Sequence, residues 1–247
     1  MNKFVYIRLF GGLDFFVPDK FRDKIIRLGF FGSPSVKDIV ESIGIPHTEF
    51  ELVTVNGELS SFEINVKNND HLIVYPHFYS LQVTNDSSHD KNNLQEIKFV
   101  VDVHLGKLAG LLRLLGFDAL YRNDLADDEI IKIANTENRI VLSRDLGILK
   151  NSLVKHGYFP RSQDPKIQLK EVMDRFNLNS RMKPFSRCIK CNGELRSTKK
   201  ELIKSQLQEN TRIFHDEFYQ CINCKKIYWK GSHFNKMKEF IDGMNCN

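Results

Sequence analysis

Hydrophobic and polar positions change period several times along this chain, and those changes divide it. Residues 3–10 are dense in β-branched and aromatic side chains and stop at Gly11 and Gly12, which predicts a strand and then a turn. Phe15, Phe16 and Val17 predict a returning strand. Val36, Ile39, Val40 and Ile43 recur at helical spacing, with Gly44 to end the run and Pro46 beyond it. Residues 51–55 lead into Asn56-Gly57, a strong hairpin-turn signal, and residues 71–75 form a last strand closed by Pro76. The order is ββαββ, and the almost wholly polar stretch 84–93 that follows reads as a linker.

A different rhythm begins at residue 97. An apolar run over 97–101 delivers Asp102 at its end. Leu105, Leu108, Ala109, Leu112 and Leu115 then fall on one helical face, and Gly116 follows as a C-cap. Residues 117–121 predict a second strand, a helix opens near Asp127, and residues 139–143 predict a third strand with Arg144-Asp145 directly after it. This β-α-β-α-β unit implies a parallel sheet with right-handed crossovers. The expected fold class is therefore α/β, preceded by a smaller α+β domain. The expected divisions are 1–82, a linker at 83–96, an α/β domain at 97–180, and a cysteine-bearing module with its tail at 181–247.

With 247 residues, 41% of them hydrophobic and 27% charged, the chain is long enough for one or two cores. No stretch approaches the roughly twenty apolar residues of a membrane span, and the first residues lack a signal-peptide pattern, so a cytoplasmic protein with no membrane contact is expected. The net charge of +5 is uneven: nine basic against thirteen acidic residues over 1–96, thirteen against eleven over 97–180, and fourteen against seven over 181–247. A polyanion would meet the carboxyl-terminal end first, although a merely solvated face has the same composition.

Three acids stand at comparable places: Asp102 after the first strand, Asp128 at the opening of a helix and Asp145 after the third strand. Strand ends of parallel sheets are where side chains can leave the sheet and face a ligand. Carboxylates gathered there suit Mg²⁺ or Mn²⁺, and phosphodiester hydrolysis is the reaction such a cluster serves best. Each acid also has a structural reading. Asp102 and Asp145 could cap the helices that follow, and Asp124 with Asp127 resembles a capping pair.

Cys188-Ile189-Lys190-Cys191 and Cys221-Ile222-Asn223-Cys224 are two Cys-x-x-Cys knuckles, and four thiolates form the usual closed structural zinc site. His215 and His233 are not needed as ligands, and Cys246 is left over. Lys225, Lys226 and Lys230 interleave with Tyr228 and Trp229, a pattern that could hold single-stranded RNA, as could Lys107, Arg113 and Arg144 beside the acids.

Two resemblances rest on these residues. The ββαββ order, with Val55-Asn56-Gly57-Glu58 and the run from Asp70 to Pro76, resembles ubiquitin-like β-grasp domains of the sulfur-carrier type. Such carriers end in a free Gly-Gly, whereas this chain continues, so a binding module or steric cover with a possible protein partner is implied instead. Residues 98–102, 105–109, 112–118, 127–130 and 140–145, with the cysteine tail, resemble the Mut-seven C-terminal RNase family, a branch of the PIN-like nucleases. That similarity implies a PIN-like domain with a zinc ribbon, RNA as partner, and Asp102, Asp128 and Asp145 as ligands of Mg²⁺ or Mn²⁺, with Asp127 as a possible helper. Gly110-Leu111 stands where the family commonly has Arg-Trp, and Ser143 where Thr is usual. The implied activity is metal-dependent, endonucleolytic RNA cleavage; the alternative is a catalytically inactive RNA- or protein-binding adaptor.

Overall fold

The computed structural model describes residues 3–76 and 97–244; the polar stretch expected as a linker and Cys246 lie outside the described residues. The amino-terminal part runs β1 (Lys3–Leu9), β2 (Ile26–Phe30), α1 (Val36–Ser42), β3 (Phe50–Val55), β4 (Glu58–Ser60) and β5 (His71–Pro76). Its sheet has the order β2-β1-β5-β3-β4, with β1 and β5 parallel and the other neighbours antiparallel. Alternation along the strands aims Val5, Ile7, Val53, Leu72 and Val74 into one core, where Val36, Ile39 and Val40 of α1 meet them. Each such side chain removed from water stabilises the fold by about 1.5–3 kcal/mol.

Local chemistry sets the ends of these elements. The Ser35 hydroxyl accepts from the Asp38 amide at 3.1 Å while the Asp38 carboxylate accepts from the Ser35 amide at 2.9 Å, a closed capping box. Backbone and hydroxyl donation from Ser35 holds the Asp38 carboxyl below its ordinary range. Asn56 and Gly57 take φ of 53° and 90°, the left-handed pair the β3–β4 hairpin requires.

One expected strand is corrected. Residues Leu13–Phe16 form a 3₁₀ turn instead, because Gly12 is left-handed and swings Leu13 fully into the core while Phe15 stays exposed. The returning strand is β2, whose alternation of Ile26 and Phe30 with exposed Arg27 and Gly29 was hidden by its polar and glycine positions.

The rest of the chain runs β6 (Lys98–Val101), α2 (Gly106–Leu114), β7 (Asp118–Leu120), α3 (Asp127–Glu137), β8 (Ile140–Leu142), α4 (Leu146–Leu149), β9 (Gly157–Tyr158) and α5 (Pro165–Arg175). It continues as β10 (Leu195–Thr198), α6 (Lys200–Ile203), α7 (Glu209–Phe214), β11 (Phe218–Cys221), β12 (Ile227–Trp229) and α8 (Ser232–Met244). The ladders β6–β7 and β8–β9 are parallel, which is the α/β part; β10-β11-β12 is an antiparallel ribbon. Among the described residues, no helix is long and apolar enough to cross a membrane.

Two compact units arise, and each draws on separate stretches of chain. The first comprises Met1–Gln95 and Leu125–Arg161; the second comprises Glu96–Asp124 and Ser162–Asn247. In the second, Leu108, Leu112 and Leu115 are fully buried, and Leu169, Val172 and Met173 of α5 are buried too. Phe99 of β6 meets Phe117 and Phe176 edge-on at 6.3 and 5.9 Å. Gly116 ends this segment with φ of 91°, and a Cβ there would collide with the Lys183 carbonyl oxygen and stand 2.6 Å from Ser186 Oγ. Gly116→Ala should therefore cost about 3 kcal/mol or more, combining backbone strain with a clash against main chain, as read from the midpoint of urea unfolding.

Candidate functional site

The cysteines come together as a group. Cys188 and Cys221 are buried, Cys191 is partly covered and Cys224 is exposed, and their sulfurs all lie within 4.8 Å of one another. Cys188 and Cys224 are 3.6 Å apart, Cys191 and Cys221 3.3 Å. Sulfurs bound at about 2.3 Å to a tetrahedral zinc stand roughly 3.7 Å apart, so the set fits that ion. The two knuckles repeat one backbone device. Asn192 and Lys225, each directly after the second cysteine of its pair, take φ of 69° and 61°. The Asn192 amide donates to the Cys188 carbonyl at 2.8 Å and the Lys225 amide to the Cys221 carbonyl at 3.1 Å. The cradle leaves no room at Gly193, where a Cβ would stand 2.9 Å from Cys221 Sγ.

Tyr228 reaches the same cluster, its hydroxyl 3.1 Å from Cys188 Sγ. Burial pushes the Cys188 thiol up, but bonds from Tyr228, from the Cys191 backbone and from neighbouring thiols outweigh it and bring the thiol down to about 7. Burial, then the contact with Cys188, pushes the Tyr228 hydroxyl well above its usual value, so it stays a donor. Burial likewise raises the Cys221 thiol. A bound cation would replace the protons on these sulfurs.

Arg113 corrects an expectation. It had the look of a phosphate-binding cation, yet it is only 4% exposed and its guanidinium is spent on main chain. Its Nε donates to the Ala119 carbonyl at 2.9 Å, Nη2 to Tyr121 at 3.3 Å, and Nη1 to Ile189 and Lys190 at 3.1 Å each. The last two carbonyls lie inside the first knuckle. Burial lowers the Arg113 pKa, opposed by the field of Cys191, Cys188 and Asp118. Asn192 adds to the joint: its Oδ1 accepts from the Ala119 amide at 3.1 Å and its Nδ2 donates to Asp118 at 2.7 Å. Neither residue's part in this joint was read from the sequence, although Asn192-Gly193 beside the knuckle was a visible signal.

The acids are placed as follows. Asp102 belongs to the second unit, ends β6 and is 3% exposed, with one oxygen accepting from the His104 amide at 3.3 Å. Asp127 and Asp128 are exposed in the first turn of α3, in the first unit. The N-cap there is Ala126, so Asp124 does not cap the helix; it pairs with Arg122 Nε at 3.2 Å instead. Asp145 directly follows Ser143 and Arg144 at the end of β8 and caps α4, its Oδ1 accepting from Gly147 and Ile148 at 2.6 and 3.4 Å. The capping reading was right for Asp145, and its Oδ2 takes no part in that cap.

The expected RNA-contacting residues are exposed apart from Arg113 and the half-buried Arg144. Lys107 lies on the outer face of α2. Lys225 donates to the Ile222 carbonyl at 2.9 Å, Lys226 sits over the Tyr228 ring at 5.5 Å, and Lys230 pairs with Glu217 at 2.5 Å. Trp229 keeps 39% of its surface exposed.

The family model described as the Mut7-C RNAse domain matches residues 97–241. The chain belongs to the Mut7-C RNAse family. A second model, Mut7-C ubiquitin, matches residues 2–82, so the amino-terminal sheet is the ubiquitin-like domain of this architecture. No match exists among curated proteins or among solved structures. In this Mut7-C chain the four cysteines could hold zinc, and the ribbon is bonded to the helix α2 through Arg113. Arg113→Met should strip the knuckle carbonyls of their donor and cost about 3 kcal/mol, the scale of losing charged hydrogen bonds at a buried site. Urea unfolding followed by ribbon signals would read that loss, and zinc release to a chelator should quicken with it; unchanged release would deny the joint a role in metal retention.

Proposed function

We propose that this protein is a divalent-metal-dependent ribonuclease that hydrolyses RNA phosphodiester bonds internally, in a domain at 97–180 extended by the zinc ribbon at 181–247. Membership of the Mut7-C RNAse family supports the nuclease class. The observation that carries the finer reading is Asp102, a carboxylate kept almost wholly from water at the end of a parallel strand. Strand ends of this kind are where side chains of parallel sheets can face ligands. Asp102, Asp128 and Asp145 offer hard oxygen donors suited to Mg²⁺ or Mn²⁺, and Asp145 keeps Oδ2 outside its helix cap.

An ion held by these carboxylates would supply an activated water and charge stabilisation for the leaving oxygen. The remaining work falls to the chain itself. Asp102 is held in place by the His104 amide, and Asp145 is fixed by the amides of α4, so neither carboxylate has to reorganise when substrate arrives. Arg144, which precedes Asp145 in the chain, and Lys107, on the helix after Asp102, are candidate cations for phosphate, and Asp127 is a candidate helper. Lys225, Lys226, Trp229 and Lys230 offer cations and an aromatic face to an unpaired strand. The ubiquitin-like domain is a candidate surface for a protein partner.

Cleavage of a labelled RNA in Mn²⁺ or Mg²⁺ should fall about a hundredfold or more in Asp102→Asn and in Asp145→Asn, while thermal unfolding stays close to that of the parent. Equal cleavage by parent and both variants would exclude these acids. Tight RNA binding by the parent with no cleavage in either metal would favour the adaptor.

A further inference from the structure

Within the first unit, side chains of the ubiquitin-like domain converge on one short stretch after β9. Glu49 is 2% exposed; its Oε1 accepts from the Phe159 amide at 2.7 Å and its Oε2 from Arg161 Nη2 at 3.2 Å. Arg161 in turn lies over the rings of Phe15, Phe16 and Tyr158 at 5.6, 5.4 and 5.4 Å. Phe15 and Phe16 also pack on Phe159, with centroids 5.8 and 5.5 Å apart. The stack continues to Arg144, whose guanidinium covers Phe159 at 5.4 Å and donates from Nη1 to the Arg161 carbonyl at 3.3 Å. Arg144 directly precedes Asp145. A second set of bonds fixes the same face: His47 joins Glu41 at 2.7 Å and the Val154 carbonyl at 2.8 Å, and Lys150 Nζ donates to the Glu41 carbonyl at 2.7 Å.

A tethered recruitment domain would not bury a carboxylate against another part of its own chain. Removing a charge from water is costly, and it persists here because Glu49 meets a main-chain donor and a guanidinium together. Aromatic rings and cations layered in alternation then give the contact a fixed geometry.

We infer that the ubiquitin-like domain is an integral wall for the segment 144–161 that carries Arg144 and Asp145, and that Glu49 is a positioning residue that sets Arg144, through Phe159 and Arg161, for contact with a phosphate of the substrate. The phosphate clause rests on the proposed ribonuclease reading; the wall does not. Phe15 and Phe16 serve the same end from the 3₁₀ turn that replaced the expected strand.

The test uses the full chain with Glu49→Gln, Phe15→Ala, Arg144→Ala and the double variant Glu49→Gln with Arg144→Ala. Phe15 is 41% exposed, so its truncation leaves the cores intact if Glu49→Gln should fail to fold. Amide exchange at Phe159 and at residues 144–149 should quicken about tenfold in Glu49→Gln, the size of one lost charged hydrogen bond, and about as much in Phe15→Ala, through the lost ring and cation contacts, while β1 and β3 keep the parent's rates. KM for RNA should rise about fivefold with kcat nearly unchanged, and the double variant should be no worse than Arg144→Ala alone, since both act on one contact. Unchanged exchange at 144–149 would overturn the wall. Additive losses in the double variant would overturn the role of Glu49 in setting Arg144. Failure of the nuclease reading shows itself separately, as cleavage that survives loss of Asp102 and Asp145, and leaves the exchange result standing.

Discussion

The buried guanidinium of Arg113 governs the second compact unit. It meets carbonyl oxygens of two kinds, those of β7 and its continuation and those inside the first cysteine knuckle. A planar fork with five donors can satisfy such a set without giving up its charge, which a lysine could not do. Hence the ribbon is not an appendage on a flexible stalk. Its first knuckle is continuous, through hydrogen bonds, with the helix that follows Asp102, and Asn192 repeats the link one residue beyond the cysteines. Ile189 also packs near Gly110, its Cγ2 3.7 Å from where a Cβ would stand, an ordinary contact distance.

Much of the fold was legible because it depends on local signals. Period-two and period-3.6 patterns located the β1 strand, α1, β6, α2, α3 and β8, and the Asn56-Gly57 pair located a hairpin. Cysteine spacing located the thiol cluster, because two knuckles of equal form can close on one ion. Failures came where tertiary context decided. Phe15 and Phe16 look like strand residues, but their partners are Phe159 and Arg161, more than a hundred positions away. Arg113 looks like a surface cation on a basic edge, and nothing local announces four carbonyls waiting for it. Asp124 was a reasonable cap by composition; the helix starts later because Leu125 is buried and Ala126 already has extended geometry. The helix α5 carried a readable start in Asp164 followed by Pro165, with Asp164 capping the amides of Lys166 and Ile167.

Glu49 and Asp102, both buried carboxylates, are placed in different ways. Glu49 answers a main-chain amide and a guanidinium, and so reads as architecture. Asp102 sits at a strand terminus, where it caps the 3₁₀ turn that follows and accepts from the His104 amide. Basic residues divide the same way. Arg113 and Arg161 are absorbed by the protein's own groups, whereas Lys107 and the lysines after the second knuckle remain on the outside, where salt-sensitive contact with a polyanion would have to be made.

Because each compact unit is assembled from two separated stretches, the order in which the chain leaves the ribosome matters. The strands and helix of residues 3–76 can begin to collapse early, yet Glu49 meets Phe159 and Arg161 only once those residues have been made. The helix α2 emerges soon after with Ala119 and Tyr121, but the other two partners of Arg113 come only with residues 189 and 190. A chain shortened before residue 159 would lack Phe159 and Arg161, the groups that answer the Glu49 carboxylate.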